Sequence, residues 1–473
     1  MTVLAIDQGT TSTRALCVDD AGGSEITCSV KHRQHYPAPG WVEHDPEELI
    51  ASLEACIESA PGAEAIGIDN QGESCLAWHA DTGRAISPVI VWQDNRTEPL
   101  IEQLKRDGRE AQVLEVAGLP LDSYFSASKM AWILQHCEAA PSLLRQGKLR
   151  IGTTDAFFLD RLAGRYVTDI TTASRTSLLN LESGNWDEDL CALFGVPPEV
   201  LPEIVATTGD LGGVVRGKRS IPITASVVDQ QASLYGHGCR VTGDMKITFG
   251  TGAFALALTG DRLTRSPEQG LLPTVAWQLQ GESPVYALDG GVYCAGSAVE
   301  WGRKLELFDG YEEINRFRRG AAIERDLAFV PALSGLACPH WDRRAAGIWV
   351  GLSLDTDRRD LIQSILEGIA LRAAEVVGAM DALVEIGERI SIDGGLSANP
   401  YFCQFLADLL ERQVTVRAMS ELTALGTARL AGARESMAAA EDDSLRRYRP
   451  AADRSAAREL FAEAVSRARG WRK

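Results

Sequence analysis

The chain has 473 residues, 45% of them hydrophobic and 24% charged, and 47 Lys and Arg stand against 65 Asp and Glu for a net charge of −18. That length exceeds what one hydrophobic core serves, so two domains, at most three, are expected. The acidic balance excludes nucleic acid as the main partner, because such binding rests on basic surface, and an anionic substrate then needs a local cationic or metal site.

In chain order, the first element is Val3-Leu4-Ala5-Ile6-Asp7-Gln8-Gly9-Thr10-Thr11-Ser12-Thr13-Arg14. A short apolar run over 2–7 predicts a buried strand that ends in a tight turn. Gly9 lets backbone approach a ligand, and Thr10, Thr11 and Ser12 offer N–H and O–H donors to anionic oxygens. Asp7, at the strand end, is placed to hold hydrated Mg2+, a hard cation that prefers carboxylate and water oxygens. A plain turn accounts for the same residues. Further strands are expected over Ala15–Val18 and Ala65–Ile68. A helix is expected over Pro46–Ser59, with Asp45 as N-cap and Pro46 in its first turn.

Glu73 lies in a polar loop after Ile68-Asp69-Asn70-Gln71-Gly72, where most acids are solvated, and Trp92 sits where a strand turns polar, a place that more often serves the core than a ligand. Residues 126–137 repeat apolar side chains at helical intervals. Residues 220–227 predict a buried strand, followed by Val228-Asp229-Gln230-Gln231 and a helix of small residues. Asp229 follows eight uncharged residues, Ile221 to Val228. A carboxylate at the mouth of such a strand suits a general base in phosphoryl transfer; it equally suits an N-cap for the helix from Gln230.

Glycines cluster near 237–244, where we place the boundary between an N-terminal domain (1–240) and a C-terminal domain (241–473). Beyond it, Met245-Lys246-Ile247-Thr248-Phe249-Gly250-Thr251-Gly252-Ala253-Phe254 echoes the first element: a strand, a Gly/Thr turn, a second apolar run. Two such turns half a chain apart suggest related domains closing on one nucleotide. Strands near 254–259 and 285–288 and helices over 360–381 and 400–411 follow. The segment Ile392-Asp393-Gly394-Gly395-Leu396-Ser397-Ala398-Asn399-Pro400 is a third strand-to-turn element, and paired glycines before a helix suit adenine or α-phosphate. The alternation implies mixed α/β domains. The ten cysteines are scattered without a Cys-x-x-Cys pair, as expected for small buried hydrophobes in a reducing compartment. No leader-like or membrane-spanning run is present, so a cytoplasmic protein is expected.

Together these residues resemble the FGGY carbohydrate kinases, in the glycerol kinase branch of the actin/Hsp70/sugar kinase superfamily. One signature is met by Tyr124-Phe125-Ser126-Ala127-Ser128-Lys129-Met130-Ala131-Trp132-Ile133-Leu134-Gln135-His136. The other is met by Gly347-Ile348-Trp349-Val350-Gly351-Leu352 with Asp360-Leu361 and Ser364-Ile365-Leu366-Glu367 beyond it. Ala173-Ser174-Arg175-Thr176 and Gly335-Leu336-Ala337-Cys338-Pro339-His340-Trp341-Asp342 also match in order, and Val91-Trp92-Gln93-Asp94 and Asp229-Gln230-Gln231 lean toward glycerol kinase.

The resemblance implies an α/β protein of two RNase H-like (actin-like ATPase) domains flanking an interdomain cleft for ATP and substrate. It also implies ATP-dependent phosphorylation of a small polyol, and a homo-oligomer, dimer or tetramer. By similarity, Asp229 is the base and Asp7 with Mg2+ organises the phosphates. Thr10, Thr11, Ser12 and Arg14 line the phosphate side, and Thr251, Gly296, Gly395 and Asn399 contact the nucleotide. Glu73, Trp92, Tyr124, Gln230 and Phe254 match the polyol pocket.

Two departures stand out. Gly72 replaces the family arginine that donates to substrate hydroxyls, which opens the alternative of a four- or five-carbon polyol or ketose. Glu300 stands where the family usually has Gln near the nucleotide. ATP-driven chaperones and filament formers share the superfamily fold but lack the constellation of Glu73, Trp92, Tyr124 and Asp229; a regulator without catalysis fits poorly with an intact Asp7 and Asp229.

Overall fold

The structure, a computed structural model, describes residues 1–417, 419, 421–433 and 445–472. Of the C-terminal half expected over 241–473, residues 418, 420, 434–444 and 473 lie outside the described residues. Two sheets organise the chain. The first runs Gly213–Arg216, Arg219–Val228, Ala65–Asn70, Val3–Gln8, Ser12–Val18, Ser24–Lys31. The second runs Leu272–Trp277, Val285–Val292, Ala253–Gly260, Met245–Phe249, Arg389–Gly394, Gln413–Val416, Arg446–Tyr448.

Their centres share one plan. Val3–Gln8 forms a hairpin with Ser12–Val18 and lies parallel to Ala65–Asn70, so that Asp7 faces Arg14 on one side and Asp69 on the other. Met245–Phe249 likewise forms a hairpin with Ala253–Gly260 and lies parallel to Arg389–Gly394, with Thr248 beside Asp393. The sequence echo between the two turns is therefore a repeated topology. A smaller sheet of Glu43–His44, Val89–Ile90, Cys75–His79 and Leu149–Thr153 is added to the first half, and Trp92 follows its second strand.

Period-2 alternation sends the side chains of one strand to two different cores. Leu4 and Ile6 pack with Leu49, Leu53 and Phe157 on one face. Val3 and Ala5 pack on the other with Leu16, Val227 and Ala232, and also with Ala424, Ala428 and Leu430 from the far end of the chain. With both faces covered, Ala65–Asn70 is buried at every residue, and such a strand reads as a continuous apolar run.

The expected helices form. Pro46–Glu58 starts at Asp45, whose side chain accepts from the N–H groups of Glu47 and Glu48, and it buries Leu49, Leu53, Cys56 and Ile57 at helical spacing. Ser126–His136, Arg358–Asp381 and Pro400–Leu410 agree with their expected spans. All ten cysteines are free thiols. Among the described residues, no helix is long and apolar enough to cross a membrane.

Leu422–Leu430 was not anticipated from the sequence, and it joins the halves. It comes from the second half but packs on the first sheet and crosses Asp229–Gly236 with backbone almost touching backbone. A Cβ at Gly236 would lie 1.9 Å from the Leu422 carbonyl oxygen, and one at Gly426 would lie 1.8 Å from that of Ala232. Only glycine fits at this crossing, because backbone cannot yield as a flexible side chain can.

Gly426→Ala is expected to force these helices apart and destabilise the protein by at least the ~1–3 kcal/mol of an overpacked core. Gly378→Ala, in a helix interior where a Cβ meets nothing within 4 Å, is expected to stabilise by about 0.5–1 kcal/mol. Denaturant unfolding of both variants checks the contrast, and equal midpoints would contradict it.

Candidate active site

The ends of the central strands bring acids together from separate segments. Asp7 and Asp69 are neighbours in register. Burial, foremost, pushes the Asp7 carboxyl above its ordinary range, and the Glu421 charge adds to this. Asp69 is fully buried and is held higher still by burial and by the adjacent Asp7 charge. Its Oδ2 accepts from the Thr427 hydroxyl at 2.6 Å, a link from the crossing helix to the first sheet. Among the described residues, no three or more His, Cys, Asp or Glu side chains form a metal cage. A cation here would rest on the one or two carboxylates at Asp7 and on phosphate oxygens, the hard-oxygen set that Mg2+ adopts.

Beside these acids lies a small cavity, of about 80 Å³. Gly72, Glu73, Trp92, Tyr124, Asp229, Gln230 and Phe254 all line it, with Thr10 at its edge. The Trp92 indole N–H donates to Thr10 Oγ1 at 3.0 Å, and its ring meets Tyr124 edge-on at 5.6 Å. Trp92 is therefore a wall of the cavity. Tyr124 is held in place by Lys129, which is fully buried and donates to the carbonyls of Ser123, Tyr124 and Phe125 at 2.8, 2.5 and 3.0 Å. Burial lowers the Lys129 ammonium to a pKa of about 8.

Glu73 is 4% exposed and has a φ of 61°. A non-glycine residue in that region is strained and persists where its surroundings hold it. The Ser126 hydroxyl donates to its carbonyl at 3.0 Å, and Arg175 Nε donates to its Oε1 at 2.7 Å. Burial raises the Glu73 carboxyl, while Arg175 pulls it down.

Asp229 occupies the first position of the helix Asp229–Gly236, after Val228 at the N-cap. The alternative reading, a cap for a helix beginning at Gln230, is thus displaced by one residue, although Asp229 Oδ1 does accept the Gln230 N–H at 2.6 Å. Burial, then the Glu73 and Asp7 charges, raise its pKa to about 7. Gln230 is oriented by Lys246, a fully buried cation whose Nζ donates to Gln230 Oε1 at 2.6 Å and to Thr248 Oγ1 at 2.9 Å.

Of the residues anticipated on the nucleotide side, Thr10 alone lines this cavity, and the others have local roles in the fold. Gly9 N–H donates to the Ser12 carbonyl at 3.0 Å, closing the Thr10–Thr11 turn, and the Thr11 carbonyl accepts from His32 N–H at 3.3 Å. Arg14 pairs with Glu421 at 3.1 Å. In the second half, the Thr251 carbonyl accepts from Ala295 and Ser297, and the Gly296 N–H donates to the Gly250 carbonyl at 2.9 Å. A Cβ at Gly296 would meet that same carbonyl at 2.6 Å, so the turn and the helix Gly296–Lys304 are stapled.

Gly394 has a φ of 81°, and a Cβ there would collide with the Phe249 carbonyl at 2.2 Å, whereas a Cβ at Gly395 meets nothing within 4 Å. The first glycine makes the turn; the second leaves open space beside it, and a Cβ at Gly250 would make only an ordinary contact, 3.9 Å from the Gly252 carbonyl. Asn399 is committed to the fold: it caps the helix Pro400–Leu410 by accepting the Phe402 N–H, and it donates to the Ile314 carbonyl at 2.9 Å. Glu300 is engaged by Arg303 at 2.7 Å and by the Tyr311 hydroxyl.

Sequence reasoning assigned no site role to Asp69, Lys129, Arg175, Lys246 or Asp289. One signal was available: Ile68-Asp69 repeats Ile6-Asp7 at the matching strand end. The others acquire their surroundings only through contacts distant in sequence.

Residues 2–236 match the N-terminal domain, and residues 245–434 the C-terminal domain, of the FGGY family of carbohydrate kinases. The chain is 41% identical to a glycerol kinase of Alkalilimnicola ehrlichii over 99% of this chain and 98% of that one. It superposes on the crystal structure of Plasmodium falciparum glycerol kinase with ADP at a TM-score of 0.90 and 30% identity, covering 99% of this chain and 98% of the other. A xylulose kinase from Rhodospirillum rubrum shares the fold at a TM-score of 0.82 and 23% identity, covering 99% and 97%. The chain belongs to the FGGY family of carbohydrate kinases and is an ATP-dependent kinase with the actin-like ATPase fold.

The raised Asp229 pKa has a consequence for stability. Its folded value near 7 lies above the ordinary 3.8, so the native state binds this proton more tightly than the unfolded chain does. The resulting stabilisation is present at low pH and lost as pH rises through the folded value. Asp229→Asn, which carries no charge, is therefore expected to melt higher than wild type at about pH 8, with the gain shrinking steadily toward about pH 4. Thermal scans across that range check it; an unchanged or lowered midpoint at the alkaline end would contradict the assignment.

Proposed function

We propose that this kinase transfers the γ-phosphate of ATP to a hydroxyl of glycerol, with Asp229 as general base. The observation that carries the reading is the place of Asp229: a buried carboxylate with a pKa near 7, in the one cavity that also holds Glu73, Gln230 and three aromatic walls. A base works best when its pKa lies near the operating pH. Gln230 N–H fixes Oδ1, and Oδ2 takes the hydroxyl proton as the substrate oxygen bonds to the γ-phosphorus and ADP departs. Trp92, Tyr124 and Phe254 cover the C–H faces of the polyol and keep out water that would otherwise hydrolyse ATP.

On the nucleotide side, the Thr10–Ser12 and Thr251 turns present N–H and hydroxyl donors to phosphate oxygens, and the space at Gly395 admits the rest of the nucleotide. Mg2+, when bound through Asp7 and the phosphates, neutralises charge on the transferring group.

Glycerol is the preferred substrate in this reading because glycerol kinases share 41% and 30% identity with the chain. Gly72 is the only feature that points to a four- or five-carbon polyol or ketose, and the pentulose kinase likeness is one of fold alone. ATP consumption measured against a panel of three- to six-carbon polyols and ketoses is expected to give glycerol the highest kcat/KM. Asp229→Asn is expected to lower kcat about 10²–10⁴-fold with ATP affinity unchanged. Wild-type kcat is expected to rise with pH through about 7. A variant keeping more than about a third of wild-type kcat would rule Asp229 out as the base.

A further inference from the structure

Five buried polar atoms of residues lining the polyol cavity have no partner within the protein: Gln71 Nε2 and Oε1, Gln231 Oε1, and, as a donor and an acceptor on two paired side chains, Arg175 Nη1 and Asp289 Oδ1. Both side chains line the cavity and are only 4% and 9% exposed. The rest of each group is committed. Arg175 Nε donates to Glu73 Oε1 at 2.7 Å, and Arg175 Nη2 pairs with Asp289 Oδ2 at 3.1 Å. The pair spans the cleft, since Arg175 belongs to the first half and Asp289 to the strand Val285–Val292 of the second sheet.

A buried donor and a buried acceptor left unmade are both unfavourable. A hydroxyl is donor and acceptor at once, so a single hydroxyl set against this pair satisfies both. The guanidinium charge is already matched by two carboxylates, Glu73 and Asp289, and the site therefore favours a neutral hydroxyl over a carboxylate or phosphate.

Resting on the reading above, we propose that Arg175 and Asp289 form a hydroxyl-recognition site for a substrate hydroxyl other than the one phosphorylated. This site supplies the donor that Gly72 cannot. It also makes recognition depend on both halves of the protein, because neither half carries both partners.

The test compares wild type, Asp289→Asn and Arg175→Lys on glycerol, 1,2-propanediol and 1,3-propanediol. With glycerol, each variant is expected to lose about 10- to 150-fold in kcat/KM, the worth of a hydrogen bond to a charged group. With the diol that lacks the recognised hydroxyl, the variants are expected to stay within about threefold of wild type. Asp289→Asn keeps the shape of the site and carries the test if Arg175→Lys does not fold. Equal losses on glycerol and both diols mark a purely structural role and overturn the proposal, as does no loss on glycerol. A wild type that phosphorylates no polyol overturns the functional reading and this inference together.

Discussion

The site depends on gathering carboxylates away from water. Asp7, Asp69, Glu73, Asp229 and Asp289 converge on one cleft, and each has its carboxyl raised chiefly by burial. Arg175 and Lys246 are the cations set among them, and neither is surplus: Arg175 pairs with Glu73 and Asp289, while Lys246 holds Gln230. Buried like charges oppose one another. The arrangement therefore favours whatever brings positive charge or hydrogen-bond donors. Glu73 adds backbone strain at the same spot, of order 1–3 kcal/mol, restrained by Ser126 and Arg175. Large cores in both halves offset these costs.

The repeated topology explains why the cleft lies where it does. In each half, a hairpin and its parallel neighbour end side by side, so the turns after Asp7 and after Phe249 occupy equivalent places in the two sheets. The crossing of Asp229–Gly236 with Leu422–Leu430 then fixes how the halves meet. The helix that begins with Asp229 is the one packed against that of the second half, and Thr427 of the latter reaches Asp69. Asp229, Asp69 and the contact between the halves are thus mechanically one unit.

The overall charge of −18 repels nucleotide at long range, and the phosphate side must work by local dipoles. Arg14, the cation of the first turn, is paired with Glu421. In the proposed reading, turn N–H groups and hydroxyls are the donors there, since successive backbone amides create anion-binding concavities. Arg175, buried beside the cavity, is likewise matched, by Glu73 and Asp289, and offers no surplus charge to an anion.

Much of this was legible in the chain itself. The apolar run at Val3–Ile6, the Gly/Thr turns, the Asp45 cap and the small-residue helix after Asp229 are local patterns, because backbone geometry and capping act over a few residues. They carried the α/β class and the duplicated plan, while Glu73, Trp92, Tyr124, Gln230 and Phe254 were reached through the family resemblance and do line the cavity. The roles of Arg175, Asp289, Lys129 and Lys246 were not legible, since a charged side chain reads as solvent-facing until the fold withdraws it from water and chooses its partners. The helix Leu422–Leu430 escaped for a related reason. Its small residues, Ala424, Gly426, Thr427 and Ala428, show little amphipathic pattern, and they make sense only against the backbone of Asp229–Gly236. Sequence determined which groups were available, through short-range propensity and periodicity; tertiary structure decided which were buried together, because desolvation and pairing between distant segments exist only once the chain has closed on itself.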